Sequence, residues 1–326
     1  MKSNKRVIIH MGAGKTGSSA LQYSFASMYD QLIKNEILYM KDKDFNKAEK
    51  GLITSGNAGE LVSLLNSPEL NKNELEDYVN HLNEKFLSHK IHTILLSSEI
   101  LQMFKEKNMV FFKQLLDVYH ISVSVIYYVR PIVDHAISSY HQKVKRNSYH
   151  EDFYYFLKHD YRHTLKSTIL KLKKTVGVES IKIINYDSVK EDIFQDFLKR
   201  VLLINDNFDI NNKKINRSLT EMELSYLRVM NKNFDTNGYS TYISNALVYL
   251  NPSKEYQFSL NKKELEYIKE HFSEDIDLFN EFLNKNEEIK IISDEIKIYE
   301  KDPIVFDEFQ EITISLLSEL TKKILK

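Results

Sequence analysis

The stretch VIIHMGAGKTGSSALQ, residues 7–22, joins a short apolar run to a loop with three glycines and then to a helical pattern. The first N–H groups of a helix have no partner within it, and the helix dipole makes that end positive. Glycines let the backbone close around an anion, and Lys15 adds a positive charge. The hydroxyls of Thr16, Ser18 and Ser19 add donors. The stretch therefore predicts a strand–loop–helix unit that binds a phosphate group.

Short apolar segments recur along the first two thirds of the chain, and helical patterns separate them. Alternation of this kind indicates βαβ crossovers and a parallel sheet covered on both faces. We therefore expect an α/β, P-loop-like three-layer fold with a parallel sheet of about five strands. The predicted strands are 6–10, 36–40, 92–98, 121–129 and 180–186, and 36–40 is the weakest of them. The predicted helices are 18–35, 59–66, 73–89, 100–118, one beginning near Pro131, 151–176, 188–201, 218–234, 261–285 and 304–325.

The strand pattern fades after about residue 205. We expect one domain over 1–326, with an α/β core at 1–205 and a mainly helical C-terminal part, a cap, at 206–326. The helix predicted at 218–234 opens with a capping-box pattern, Ser218 to Glu221.

The composition of the chain argues against several classes of function. The 326 residues include 45 basic and 46 acidic side chains, so no overall basic excess favours nucleic acid. The absence of cysteine excludes disulfides, thiolate zinc sites and cysteine nucleophiles. No signal peptide or membrane-spanning segment is apparent, which predicts a cytoplasmic protein.

A nucleotide-type P-loop fits this loop poorly. That motif needs a glycine six positions before the lysine, and Ile9 stands there. The strand at 92–98 is followed by Glu99 and shows no clear terminal aspartate for magnesium. An ATPase or kinase is therefore the weaker interpretation.

Arg130 follows the strand at 121–129, and Ser138 comes eight residues later, about two helical turns on. In an open α/β sheet, ligands bind beyond the carboxyl ends of the strands. Arg130 and Ser138 could together hold a second phosphate at that edge, with forked bonds from the guanidinium. Alternatively, Arg130 is a structural ion-pair partner.

These motifs resemble the bacterial sulfotransferases that use 3′-phosphoadenylyl sulfate (PAPS). The family pattern H-x-G-x-x-K-T-G-[ST]-[ST]-x-L-Q corresponds to residues 10–22, and an arginine with a serine eight residues later corresponds to Arg130 and Ser138. SSE at 97–99, NYDSV at 185–189 and NRSLTEMELSYLRVMN at 216–231 also resemble family patterns. The resemblance covers about residues 6–235.

The resemblance implies transfer of a sulfuryl group from PAPS to a hydroxyl or amine acceptor, leaving 3′,5′-adenosine bisphosphate (PAP). It implies a glycan or glycolipid acceptor, no metal, and a 3′-phosphate held by Arg130 and Ser138. The 5′-phosphosulfate would be bound by the residues of the first loop: Gly12, Gly14, Lys15, Thr16, Gly17, Ser18 and Ser19.

Catalysis would need charge stabilisation and a base. Lys15 would stabilise charge on the bridging oxygen as the donor bond breaks. Glu99 is the acidic residue nearest to Lys15 by topology, although it could instead cap the following helix or form an ion pair. His141, one turn beyond Ser138, is the reserve candidate for the base. Asn57 could line the acceptor cleft.

Two alternatives from other classes stay open. One is a P-loop kinase of a small molecule, which magnesium dependence and ATP turnover would favour. The other is a non-catalytic nucleotide-binding protein, against which the presence of Lys15, Glu99, Arg130 and Ser138 argues.

Overall fold

A five-stranded parallel sheet forms the centre of the first part of the chain. The computed structural model describes residues 5–12, 14–52, 54–88, 90–205, 208, 218–233, 239–250, 258–293, 296–299, 318 and 321. All pairings in the large sheet are parallel, and its order is β2-β3-β1-β4-β5. The strands are β1 (Arg6–His10), β2 (Ile37–Tyr39), β3 (Thr93–Ser97), β4 (Ser122–Val129) and β5 (Ile181–Asn185).

Helices connect the strands and fill most of the remaining described chain. In chain order they are α1 (Ser18–Ser27), α2 (Tyr29–Lys34), α3 (Phe45–Glu49), α4 (Gly59–Asn66), α5 (Lys72–Ser88), α6 (Glu106–Val118), α7 (Ile132–Arg146), α8 (Phe153–Tyr155), α9 (Leu165–Thr175), α10 (Ile193–Phe197), α11 (Glu221–Asn233), α12 (Tyr239–Leu250) and α13 (Lys262–Asn280). Short 3₁₀ turns lie at Glu99–Met103, Val178–Ser180, Tyr186–Ser188 and Lys285–Glu287, and π-helical turns follow α8 at Phe156–Asp160 and α10 at Leu198–Leu202.

The sheet buries both faces. Side chains alternate along a strand, so Ile8 of β1 points to one face while Val7 and Ile9 point to the other, and all three are fully buried. On the Ile8 face, Phe25 of α1 and Phe197 of α10 pack into one apolar cluster with the strands. Helices α5 and α6 contact β3 and β4 and each other. The expected α/β fold with a five-stranded parallel sheet is confirmed.

Several helices are shorter than predicted. The helix expected over 18–35 is divided at Met28, and the one over 188–201 begins only at Ile193, where Asp192 caps it. The segment 100–118 starts as a 3₁₀ turn before α6. The helix predicted at 304–325 lies outside the described residues, apart from 318 and 321.

The chain divides into two compact units. The first comprises 1–130, 163–210 and 277–289, and the second comprises 131–162, 211–276 and 290–326. The chain leaves the first unit directly after Arg130 and returns to it at His163. The single domain expected over 1–326, with a core at 1–205 and a helical cap at 206–326, stays a prediction.

The second unit contains α7, α8, α11, α12 and a two-stranded parallel sheet that the sequence did not predict. Its strands are β6 (Ser259–Asn261) and β7 (Lys297–Tyr299). The capping box of α11 is also two residues later than predicted. Thr220 and Glu223 exchange the reciprocal bonds, at 2.9 and 3.2 Å, so the Ser218–Glu221 assignment is wrong. The Glu221 carboxylate instead accepts from the N–H of Ser259.

Candidate functional site

The loop after β1 leads into the first turn of α1. Gly17 is the N-cap residue, with a φ of +76°, and no side chain caps the helix there. The first N–H groups of α1 consequently have no partner within the helix and lie at its positive end. Lys15 is exposed and also has a left-handed backbone, with a φ of +72°. Such a backbone conformation is uncommon for a non-glycine residue, and it puts Lys15 in a tight turn.

The three glycines of the loop have different surroundings. A Cβ at Gly12 would overlap the buried hydroxyl of Ser18. A Cβ at Gly17 would lie 2.9 Å from Ile193 Cδ1 and 3.0 Å from Tyr186 Cε2. Around Gly14, in contrast, no described atom lies within 4 Å of a Cβ. Packing within the described protein therefore requires a small residue at two of these positions and leaves space beside Gly14.

The other residues of the loop that were predicted to bind phosphate differ in their exposure to solvent. Thr16 and Ser18 are buried, whereas Ser19 is exposed on the first turn of α1. Ala13 lies outside the described residues.

Glu99 lies beside this loop. It is the first residue of the 3₁₀ turn after β3, and β3 is the neighbour of β1 in the sheet. Burial raises the pKa of Glu99, while the Ser18 hydroxyl and the Lys15 ammonium act on the same carboxyl and lower its pKa in part. A carboxyl with a raised pKa next to a cation has the character of a general base. The helix-capping role is filled by Ser98, whose side chain accepts from the N–H of Ile100.

Arg130 lies on the other side of the loop, directly after β4. Its Nη1 donates to the backbone oxygen of Lys15 at 3.3 Å, and its Nη2 lies 3.6 Å from Asp187 Oδ1. The guanidinium carbon is 5.5 Å from the centre of the Tyr186 ring. Arg130 therefore links the loop after β1 to the turn after β5, and it has the ion-pair partner that the alternative interpretation expected.

Ser138 and His141 lie in α7, which belongs to the second unit. Ser138 is half-buried. His141 is 6% exposed and makes an edge contact with Phe258. Burial, with a smaller contribution from Lys145, lowers the pKa of His141 to about 3. An imidazole with so low a pKa is neutral at pH 7 and accepts a proton weakly.

A buried polar network behind the loop was not predicted from the sequence. Ser97 Oγ lies 2.9 Å from His10 Nδ1 and accepts from Gln22 Nε2 at 3.3 Å. Gln22 Oε1 accepts in turn from the hydroxyl of Thr54 at 3.3 Å. Burial lowers the pKa of His10 to about 3, so its ring is neutral. His10 and Gln22 are the first and last residues of the stretch 10–22, and Ser97 is a hydrogen-bond partner of both.

Asn57 stabilises the sheet. Its side chain is buried and donates to the backbone oxygens of Met40 and Leu95, both at 3.0 Å. Its Oδ1 accepts from the N–H of Ser97 at 2.7 Å. The amide expected in the acceptor cleft is thus bonded to the backbone at the ends of β2 and β3.

No protein-family model, no curated protein and no solved structure matches this chain. Within the described residues, no helix is both long enough and apolar enough to cross a membrane. In the same part of the chain, no group of three or more His, Asp or Glu side chains is placed to hold a metal ion.

Proposed function

We propose that this protein is a PAPS-dependent sulfotransferase that transfers a sulfuryl group to a hydroxyl or amine. The observation that carries the proposal is the arrangement at one edge of the sheet. An uncapped helix start with Lys15 lies between Glu99, which follows β3, and Arg130, which follows β4. This edge lies at the carboxyl ends of the strands, and β1 has neighbours on both sides, β3 and β4, that the chain reaches by separate crossovers. Open α/β sheets bind ligands at such an edge.

The loop would bind the 5′-phosphosulfate of the donor. N–H groups at the start of α1 and the hydroxyl of Ser19 are suited to phosphate oxygens. The space beside Gly14 would allow an oxyanion to approach the backbone closely. Lys15 would neutralise the charge that develops on the bridging oxygen when the S–O bond to the phosphate breaks.

Glu99 would remove the acceptor's proton. In the transfer, a bond forms between the acceptor oxygen and sulfur, the bridging S–O bond breaks, and the acceptor proton moves to a Glu99 oxygen. Burial raises the pKa of Glu99 and makes the carboxylate a stronger base than an exposed glutamate, while the nearby Lys15 ammonium offsets part of that rise. His141, neutral and with a pKa near 3, is the weaker candidate.

The 3′-phosphate would be held by Arg130 with Ser138, and this assignment depends on the resemblance in sequence. The hydrogen bond from Arg130 to the backbone oxygen of Lys15 supports this assignment, because it brings the guanidinium to the loop after β1. An incoming phosphate would compete with Asp187 for the same guanidinium. The proposed acceptor, a glycan or glycolipid, depends on the sequence resemblance alone, and so does a bacterial source. The cytoplasmic setting is a separate proposal from the sequence analysis.

Calorimetric titration with PAP, AMP and ATP, each with magnesium and with a chelator, tests the proposal. We expect PAP to bind most tightly and to need no magnesium. Equal affinity for PAP and AMP would remove the role of Arg130 and Ser138. A magnesium-dependent preference for ATP, with turnover, would instead favour the small-molecule kinase. Tight PAP binding without sulfuryl transfer to any acceptor would indicate a non-catalytic nucleotide-binding protein.

A further inference from the structure

The turn after β5 lies against the loop after β1, within the first unit. It is the 3₁₀ turn Tyr186–Ser188, and the Asn185 side chain caps it by accepting from the N–H of Asp187 at 3.0 Å. The Tyr186 ring lies so close to Gly17 that a Cβ added to this glycine would be 3.0 Å from Cε2 of the ring. The turn therefore belongs to the same edge of the sheet as the loop after β1, and it brings the Asp187 carboxylate to that edge.

The Asp187 carboxylate faces the Arg130 guanidinium. Nη2 of Arg130 lies 3.6 Å from Oδ1 of Asp187, and the two side chains are only 18% and 19% exposed. Salt screens a mostly buried pair much less than an exposed pair, so the attraction persists at physiological ionic strength. An anion that arrives at this guanidinium therefore meets a carboxylate that is already paired with it.

Arg130 has other contacts that hold its orientation. Its Nη1 donates to the backbone oxygen of Lys15 at 3.3 Å, and its guanidinium carbon lies 5.5 Å from the centre of the Tyr186 ring. The 3.6 Å contact with Asp187 is longer than a hydrogen bond, so it lacks the forked bonds that fix a guanidinium most firmly. Removing the charge of Asp187 should thus leave the guanidinium at the loop and make it available to an anion.

The charges around the turn balance one another. Burial raises the pKa of Tyr186, Arg130 lowers it and Asp187 raises it, so both charged groups act on the same phenol. Lys190 and Glu191 act on that phenol with opposite signs as well. Together with the neighbours Lys15 and Glu99, these contacts bring together three positive and three negative side chains: Lys15, Arg130, Lys190, Glu99, Asp187 and Glu191. Neutralising Asp187 therefore leaves a net positive charge for an incoming anion.

We propose that Asp187 is a built-in competitor for Arg130: its carboxylate pairs with the guanidinium and competes with the donor's 3′-phosphate. The inference rests on the proposed function, since it takes the 3′-phosphate as the anion that Arg130 binds. A product held by a charged guanidinium leaves slowly, and product release limits turnover in many enzymes. Competition from Asp187 weakens binding of both PAPS and PAP, and it speeds the release of PAP after transfer.

Calorimetric titration of PAP and AMP into the full-length wild type, Asp187→Asn and Glu191→Gln tests this role. Asp187→Asn removes the charge but keeps the size of the side chain and the backbone N–H that Asn185 caps. We expect PAP to bind about tenfold more tightly to Asp187→Asn. AMP, which lacks the 3′-phosphate, should gain far less. Glu191→Gln removes the same charge from an exposed residue and should hardly change PAP affinity.

Two further readouts separate competition from a structural role. Stopped-flow displacement of PAP should show slower release from Asp187→Asn, in proportion to the gain in affinity. The gain should vanish when Asp187→Asn is combined with Arg130→Ala, because the two side chains act on one another. A carboxylate that only positions Arg130 predicts the opposite sign, which is weaker PAP binding in Asp187→Asn.

The outcomes distinguish this inference from the proposed function. If PAP binds the wild type but binds Asp187→Asn no more tightly, or if AMP gains as much as PAP, the competitor role is overturned and the proposed function stands. Absence of PAP binding to the wild type would overturn both. A crystal structure of the wild type with PAP stays informative if Asp187→Asn fails to fold. In it the 3′-phosphate should replace the Asp187 carboxylate at Arg130, and an unchanged Arg130–Asp187 contact beside the bound 3′-phosphate would overturn the inference.

Discussion

Gly17→Ala and Gly14→Ala form a matched pair that tests the geometry of the loop between β1 and α1, which would bind the donor. At Gly17 the φ of +76° costs an alanine about 1–2 kcal/mol, since the left-handed region crowds a Cβ. The new methyl would also lie 2.9 Å from Ile193 and 3.0 Å from Tyr186, and overpacking of this kind costs about 1–3 kcal/mol. We expect Gly17→Ala to lower the free energy of unfolding by about 2–5 kcal/mol.

Gly14→Ala should behave oppositely. Its φ is not in the left-handed region, and no described atom lies within 4 Å of the added methyl. The free energy of unfolding should therefore stay within about 0.5 kcal/mol of wild type or rise slightly, as for other compatible glycine-to-alanine changes. The methyl would nevertheless occupy the space assigned to the donor's oxyanion, so PAP affinity should fall about tenfold or more.

Urea unfolding and calorimetric binding of PAP measure the two quantities. The loop geometry is refuted if Gly14→Ala destabilises the protein as much as Gly17→Ala does. Wild-type PAP affinity in Gly14→Ala would show that no anion approaches the backbone there.

Four further predictions concern the charged and titratable groups. Lys15→Ala should lower kcat by about 10²-fold or more and weaken PAP less, because its charge acts mainly in the transition state; normal turnover would leave it a surface lysine. Arg130→Ala should cost about 2–5 kcal/mol in PAP affinity and hardly change affinity for adenosine 5′-phosphosulfate, which lacks the 3′-phosphate; similar losses for both ligands would point to damage to the fold. Glu99→Gln should keep PAP binding but lose about 10²- to 10⁴-fold in rate. The acidic limb of the dependence of kcat/KM on pH, which the raised pKa of Glu99 shifts to higher pH than for an ordinary glutamate, should disappear in this variant. A near-normal rate in Glu99→Gln, with an inactive His141→Ala, would assign the base to His141. Because burial lowers the pKa of His10 and His141 to about 3, the unfolded chain binds more protons than the folded chain below about pH 6.5. As the pH is lowered from there toward 3, the free energy of unfolding should fall by up to about 1.4 kcal/mol per pH unit for each histidine. His141→Phe should make the dependence of the unfolding free energy on pH less steep, and an unchanged dependence would contradict the prediction for His141.

The strands of the large sheet were predictable because each is a short, mainly apolar run whose side chains are mostly buried. Loop placement followed from the same topology, since parallel strands end at one edge, and this is how Glu99 was expected beside Lys15. The network of His10, Ser97 and Gln22 was not predicted, because its contacts join residues that only the folded sheet brings together.

The second unit shows where sequence patterns are ambiguous. Both Ser218–Glu221 and Thr220–Glu223 fit the capping-box spacing, and only the actual helix start chooses between them. Strands β6 and β7 have three residues each, too few for an alternating pattern to stand out. The pairing of Arg130 with Asp187 depends on the neighbouring positions of β4 and β5, which the order of elements along the chain did not specify.

Sulfuryl transfer from radiolabelled PAPS, in the presence of a metal chelator and a panel of hydroxyl and amine glycans, tests the central claim most directly. The proposed function predicts that label moves to at least one acceptor, that PAP appears in equal amount, and that Lys15→Ala abolishes most of both. Failure of label to reach any acceptor, combined with magnesium-dependent turnover of ATP by the same preparation, would contradict it.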